Sequence, residues 1–551
     1  MHYTRREFLT TAASAAGAAM LPLGPALAAA TGSGPAAAPA RYRRYDVASA
    51  EGQKMLASYA RGIQAMLELP VEDPRNWFRY AFVHFFDCPH GNWWFYVWHR
   101  GYIGYFEQIV RELSGDPDFA LPYWDWTRHP RLPAGMFEGV LSPTDRAYAP
   151  FTGNLKRFTD FIQPTMRRYF ESLDGEQRAQ LKLRGYATFD DAWCDVNGYY
   201  AAKQTGLTGN QAFAVTCAAR YPSADNPGLD WRSRFAVSPL VVGVGLLPTK
   251  FQADSMAESF TSPIAPSHLV QPASGQKFSI LENYPHNKVH NYLGGVHAID
   301  PGPYGNMTNF LSPVDPIFFL HHANMDRLWE VWTRRQRAHD RPILPEGKEA
   351  AQFMDEPFRF YIDAAGKPVG PSTAGQYVDP RRFDYDYGPG GYEGFSFDLG
   401  RNQRRLGASA DAAVQARLSA GVATLAVPAA LVENHLDDAA PLVAEITIER
   451  PDELALTREF DVLVNAPADM TEVGPDSPYY AGTLAYFGPT MPGMKMSHNT
   501  TFAVPLPKTL RALTQAASAN SAAQLNIRVV PAGPLAAEPV RVNAVSVRPA
   551  G

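Results

Sequence analysis

The sequence predicts a mainly α protein: a four-helix-bundle catalytic core with long loops, followed by a small β-sandwich C-terminal domain. Two observations carry that expectation. Residues 49 to 337 alternate helix-period apolar stretches with Pro/Gly-rich loops. Past Tyr387 the texture changes to short alternating segments separated by turn residues. With 551 residues the chain is long enough for two or three domains, each with its own core.

Taken in order, the first 30 residues read as a targeting segment. Thr4-Arg5-Arg6-Glu7-Phe8-Leu9 followed by a short Ala-rich apolar run has the form of a twin-arginine export signal, which places the protein in the periplasm or outside the cell. The run is too short to span a membrane. The catalytic domain is expected over 42–390. Within it, Met55, Leu56, Tyr59, Ile63, Met66 and Leu67 predict a helix over about 49–69. A second helix is predicted over about 75–87 and stopped by Pro89, since the residue before proline avoids the α region. A third follows over about 92–113. Helical patterning returns over 277–292, and again from Asp315, an N-cap with Pro316 at the first helical position, to about Arg337. Residues 130–270 carry no readable motif. Residues 391–440 read as a linker and 441–551 as the sandwich, with strands at 443–448, 460–464, 525–530 and 540–542.

A net charge of −5 gives no reason to expect a nucleic-acid partner or an anionic membrane surface. Three cysteines are too few for a disulfide framework. Cys194 and Cys217 are open to two readings, a disulfide after export or two buried thiols.

Chemistry concentrates in the histidines. Eight of the fourteen fall in three short windows: His84, His90 and His99; His286, His290 and His297; His321 and His322. A single histidine is ordinary core or surface, but three clusters imply a metal, for which imidazole is a preferred ligand. His90 and His99, nine residues apart, would lie on opposite faces of one helix. Pro89 and Gly91 break the helix between them, so His84 ends one helix, His90 sits in the turn and His99 lies early in the next. His286 and His290 form an i, i+4 pair. His321 and His322 are about 100° apart, so only one of them can face the same metal. The count is three plus three, two metal ions in the bundle.

The segments CPHGNWWFYVWHRGYIGYFEQ, ALPYWDW, ENYPHNKVH and DPIFFLHHANMDRLW, with Tyr385-Asp386-Tyr387 closing the core, resemble the type-3 copper proteins: tyrosinases, polyphenol oxidases, catechol oxidases and haemocyanins. Glu459-Phe460-Asp461-Val462 resembles the C-terminal region of plant polyphenol oxidases. The resemblance implies two copper ions with dioxygen as co-substrate. His84, His90 and His99 would hold the first ion, and His286, His290 and His322 the second. It implies oxidation of small phenols or catechols to o-quinones, with ortho-hydroxylation of monophenols where Glu282 and Asn287 hold a water that takes the phenol proton. Cys88 matches the cysteine that forms a thioether to the second ligand, here His90; a free buried thiol is the other reading. Phe310 matches a gate over the second copper. Asp326 is read as an anchor one turn beyond His322, and Phe318 as packing between ligand rings. Met491, Met494, Met496 and His498 are soft donors suited to passing copper(I), or plain packing. The resemblance leaves three other activities in play: catechol oxidation alone, o-aminophenol oxidation, and haemocyanin-like oxygen carriage.

Overall fold

Ser49 caps the first helix, α1 (Ala50–Glu68): its side chain accepts from Gly52 N, and Leu56, Tyr59, Ile63, Met66 and Leu67 form the buried face. Asn76 caps α2 (Trp77–Asp87) by accepting from Phe78 N and Arg79 N. Every residue of α2 is buried, as expected of a helix apolar nearly all round. It ends at Cys88, ahead of Pro89. The third helix, α3 (Phe95–Ser114), stops at Gly115, whose φ of 68° is the left-handed conformation that suits glycine at a helix end. The helix Ile317–Ala338 begins behind Asp315, which accepts from Ile317 N at 3.0 Å.

This computed structural model describes residues 39–197, 220–272, 275–300, 304–392, 413–419, 421–449, 458–470, 472–488, 499–533 and 540–551. The twin-arginine segment, Cys217, and Met491, Met494, Met496 and His498 lie outside the described residues. Residues 41–551 form one compact unit. Among the described residues no helix is long and apolar enough to cross a membrane.

Strand β1 (Tyr42–Arg44) pairs in parallel with β3 (Tyr385–Tyr387), so the Tyr-x-Tyr element closes on the start of the unit. Arg44 from β1 is fully buried and pairs with Glu107 at 2.7 Å. The 277–292 stretch is not one helix. Residues Gln276–Phe278 form β2, and a π-helical turn, Glu282–Lys288, then leads into the short α-helix Val289–Leu293. Pro285 explains the widened turn: it has no N–H to give and crowds the carbonyl one turn back.

The C-terminal region is rich in sheet. Its strands are β4 (Val414–Gln415), β5 (Arg417–Ser419), β6 (Val422–Val427), β7 (Leu442–Glu449), β8 (Glu459–Val464), β9 (Tyr480–Ala485), β10 (Asn499–Pro505), β11 (Ala523–Pro531) and β12 (Val542–Pro549). They form two five-stranded sheets, ordered β2-β10-β7-β12-β4 and β5-β6-β11-β8-β9. Alternate residues of β6, β7, β11 and β12 enter one shared apolar cluster. By contrast, β8 and β9 are buried along their whole length, because their other face lies on the helical region.

Two expectations need correcting. Residues 391–440 are not a plain linker: β4, β5, β6 and the helix Ala429–Leu436 belong to the sheets, with β6 registered against β11. Nor is the division between regions clean in sequence, since β2 is an edge strand of the C-terminal sheet, paired in parallel with β10.

Candidate metal centre

Four helical segments bring the histidines together. His84 lies in the last turn of α2, His90 in the turn after it and His99 in the second turn of α3. Their ring centroids form a near-equilateral triangle: 5.6 Å for His84–His90, 5.6 Å for His84–His99 and 5.5 Å for His90–His99. Gly91 permits the turn with φ 70°, and a side chain there would press on Gln276. The second triangle is tighter, with 4.5 Å for His286–His290, 5.1 Å for His286–His322 and 5.4 Å for His290–His322. The two triangles touch where His99 stacks on His322 at 4.3 Å.

Hydrogen bonding fixes the tautomers. Nδ1–H donates from His84 to the Phe310 carbonyl (2.8 Å), from His99 to Phe95 (2.7 Å), from His286 to Asn287 Oδ1 (2.8 Å) and from His290 to Met307 (2.7 Å). Each bond leaves Nε2 as the lone-pair nitrogen, the arrangement in which a histidine binds a metal. The Nε2 atoms of His84, His99 and His286 and both ring nitrogens of His90 are buried with no hydrogen-bond partner among the described residues. Such buried orphans fit a site built for a cation. His290 Nε2 and His322 Nε2 face each other at 3.2 Å. Burial pushes the imidazoles of His84 and His286 down to about 3, so both are neutral and ready to coordinate.

His321 also enters the second cluster. Trp126 Nε1, which can only donate, reaches its Nδ1 at 3.2 Å. In the neutral ring Nε2 then carries the proton and has no lone pair for a metal. That separates His321 from its neighbour His322.

Cys88 Sγ lies within 4.8 Å of ring nitrogens of His84 and His90. Burial raises its thiol to about 12, only partly opposed by Arg184, which donates to the Cys88 carbonyl at 2.7 Å and approaches the sulfur at 3.4 Å. Asp87, just before it, is held by Trp98 Nε1 at 2.8 Å and His268 Nε2 at 3.0 Å. Glu356 takes the other nitrogen of His268 at 2.6 Å.

Glu282 is buried beside the His90 turn, accepting from Gly91 N at 2.6 Å and Ser262 Oγ at 2.5 Å. Burial raises its carboxyl to about 8. Asn287 spends its oxygen on His286 and its amide N–H on the Ala485 carbonyl at 2.8 Å. Phe318 packs against His84 at 5.1 Å and His322 at 4.1 Å, between the two sets. Asp326 touches no ligand ring; it accepts from Arg100 at 2.6 Å and from the hydroxyls of Tyr385 and Tyr387, tying α3 to β3.

Phe310 is not over the second set. Its carbonyl is pinned by His84, and its ring lies 6.3 Å from His84 and 5.6 Å from His90. The ring over the second set comes from the C-terminal region. Phe487, just past β9, sits 4.4 Å from His290, 5.3 Å from His286 and 4.8 Å from His90. Sequence reasoning missed Phe487, Trp126, Ser262 and Arg184. Only Phe487 left a trace, an aromatic before Gly488-Pro489 at the end of a strand.

With this geometry in view, known proteins agree. The family profile described as the common central domain of tyrosinase matches residues 74–335. Polyphenol oxidase II of Ipomoea batatas is 25% identical over 352 residues, covering 61% of this chain and 47% of that protein. A tyrosinase of a Hahella species is 25% identical, covering 57% and 56%. The chain thus spans about half the length of the curated relatives it matches. Among solved structures, latent apple tyrosinase aligns at TM-score 0.50 and 18% identity over 93% of this chain and 98% of that one. An oxygen-bound mutant of Aspergillus oryzae pro-tyrosinase aligns at TM-score 0.52 and 16% identity over 93% and 94%. These two establish likeness of fold. Residues 74–335 are thus a tyrosinase central domain, and the chain's curated relatives are polyphenol oxidases and a bacterial tyrosinase.

Proposed function

We propose that the chain is a di-copper oxidase of small phenols, seen here in a closed form. His84, His90 and His99 would hold one copper, and His286, His290 and His322 the other. The observation that carries this is the tautomer pattern: four Nδ1–H groups spent on fixed carbonyl oxygens, with the Nε2 atoms turned inward. Two copper ions, once bound, would supply dioxygen binding, ortho-hydroxylation of a monophenol and the two-electron oxidation of a catechol to its o-quinone.

The chain's own residues do the remainder. Phe95 and Phe318 wall the site with apolar rings and exclude water. Asn287 holds the ring of His286. A monophenol must lose a proton with an unperturbed pKa of about 10, and Glu282 is the carboxylate placed to direct its acceptor. Raised to about 8, that group is poised near the working pH, where a general base is most effective. Phe487 fills the space where a substrate ring would stack on His290, so activation means moving it. Two of the solved relatives are themselves named latent or pro-forms, in keeping with this reading. Export of the folded chain by the twin-arginine route belongs to the same proposal and rests on Thr4–Leu9.

One observation favours a second reading, a catechol oxidase. Each Glu282 oxygen already accepts one bond, and Asn287 already spends its oxygen and one amide N–H within the protein, which leaves less of either to orient a water. Oxygen uptake and quinone absorbance on the copper-loaded chain, before and after limited proteolysis to open it, with L-tyrosine and then L-DOPA, separate the two. Turnover of both establishes a tyrosinase, and turnover of L-DOPA alone establishes a catechol oxidase. Turnover of neither, with reversible oxygen binding, overturns the enzyme reading.

A further inference from the structure

Strand β8 and the residue just before it send three charged side chains of the C-terminal region into the helical region. Arg458 Nη1 donates to the Thr308 carbonyl at 2.7 Å. Asp461 pairs with Arg232 at 2.6 Å. Glu459 is fully buried between them. It accepts from Asn291 Nδ2 at 2.9 Å and pairs with Lys288 Nζ at 3.0 Å and His297 Nε2 at 2.6 Å. Lys288 and Asn291 are themselves fully buried, and they stand on either side of His290 in the sequence. Thr308 follows Met307, whose carbonyl takes the His290 Nδ1–H. Both supports of His290, its own helical turn and the carbonyl that sets its tautomer, are therefore gripped by adjacent residues at the start of β8, Arg458 and Glu459.

The helical region also ties that turn, Tyr292 Oη donating to the Gly228 carbonyl and Tyr221 N to the Leu293 carbonyl, each at 2.8 Å, but the turn's own helical bonding is short. It leaves a π-helical segment interrupted by Pro285 and ends after five α-helical residues. Helices this short do not hold themselves in water. Ala485 adds two more bonds from β9, donating to Asn283 Oδ1 at 3.1 Å and accepting from Asn287. A buried carboxylate and a buried ammonium each require the other, so neither region can withdraw cheaply.

We infer that Glu459 is a positioning residue for the second histidine set, and that the C-terminal sheets are part of the metal centre's scaffold as well as its cover. This rests on the copper reading above. It follows that activation displaces the Phe487 loop while β8 stays docked.

The test uses the full chain and Glu459→Gln, which keeps the shape and removes the charge. Amide hydrogen exchange is followed in the metal-free protein, and copper per chain is counted after competition with a chelator. The expected result is exchange at least about tenfold faster over Glu282–Leu293, with Trp77–Asp87 unchanged, and copper falling from two to one. Unchanged exchange over Glu282–Leu293, an equal rise in both segments, or retention of both coppers overturns the assignment. If Glu459→Gln does not fold, Lys288→Gln is read by the same criteria, since it removes the turn's own ion pair while Asn291 and His297 stay on the carboxylate. A wild-type chain that takes up no copper sinks the oxidase reading instead, and the exchange result then decides the role of Glu459 alone.

Discussion

The ring of Phe487 lies 4.4 Å from that of His290, with Phe310 5.7 Å away on its other side. Gly488 comes so close to Phe310 that a side chain there would collide with it. The loop after β9 is thus fitted onto the histidines, and under the proposed function a substrate ring would compete with Phe487 for the same place.

Phe487→Ala is therefore expected to raise kcat/KM for L-DOPA in the uncleaved, copper-loaded chain. The ring is half-buried, and losing its packing shifts the closed–open balance by roughly tenfold. Copper content is expected to stay the same. Steady-state kinetics of wild type and variant check this, and an unchanged or lower kcat/KM would mean that the loop is no barrier.

Glu282 gives a second prediction. Its carboxyl, raised to about 8 by burial, is protonated at pH 7 and ionises as pH rises. Monophenol hydroxylation by the open enzyme should then climb between about pH 7 and pH 9, while diphenol oxidation does not follow that step. Glu282→Gln is expected to abolish the climb and lower monophenol turnover by about a hundredfold, leaving L-DOPA oxidation within a few fold. Parallel pH profiles for the two substrates would remove Glu282 from the mechanism.

A third concerns stability. Burial disfavours the charged form of His268, but Asp87 and Glu356 together outweigh it and raise the imidazole to about 9. The folded state thus holds a proton that the unfolded chain releases near its ordinary value of about 6.5. This stabilisation is complete below about pH 6.5 and is lost as pH rises through about 9. Thermal unfolding should show that decline, and His268→Gln should remove it while costing about 3 kcal/mol at pH 6. A variant with the wild-type pH slope would contradict the assignment.

Much of this was legible in the sequence because its causes are local. Pro89 and Gly91 between His84 and His99 dictate a helix–turn–helix, and the apolar periodicity over 49–69 gives the helix Ala50–Glu68. The alternating strands of the C-terminal region read in the same way. What escaped depends on long-range docking. Nothing near Phe487 or Glu459 in sequence says that they reach the metal-bearing turn. Spacing predicts that only one of His321 and His322 faces the metal, yet both enter the cluster; what sets them apart is Trp126, from a distant segment, at His321 Nδ1. The Ala-rich β6 alternates only weakly and was hidden in an expected linker. Pro285 was a visible signal for a broken helix, outweighed by the i, i+4 pattern of His286 and His290.

The central claim is that six histidines, and not His321, hold two copper ions. Counting copper per folded chain by elemental analysis in wild type, His322→Asn and His321→Asn tests it most directly. The account predicts two, one and two respectively. Fewer than two in the wild type, or a copper lost with His321→Asn and kept with His322→Asn, would contradict it.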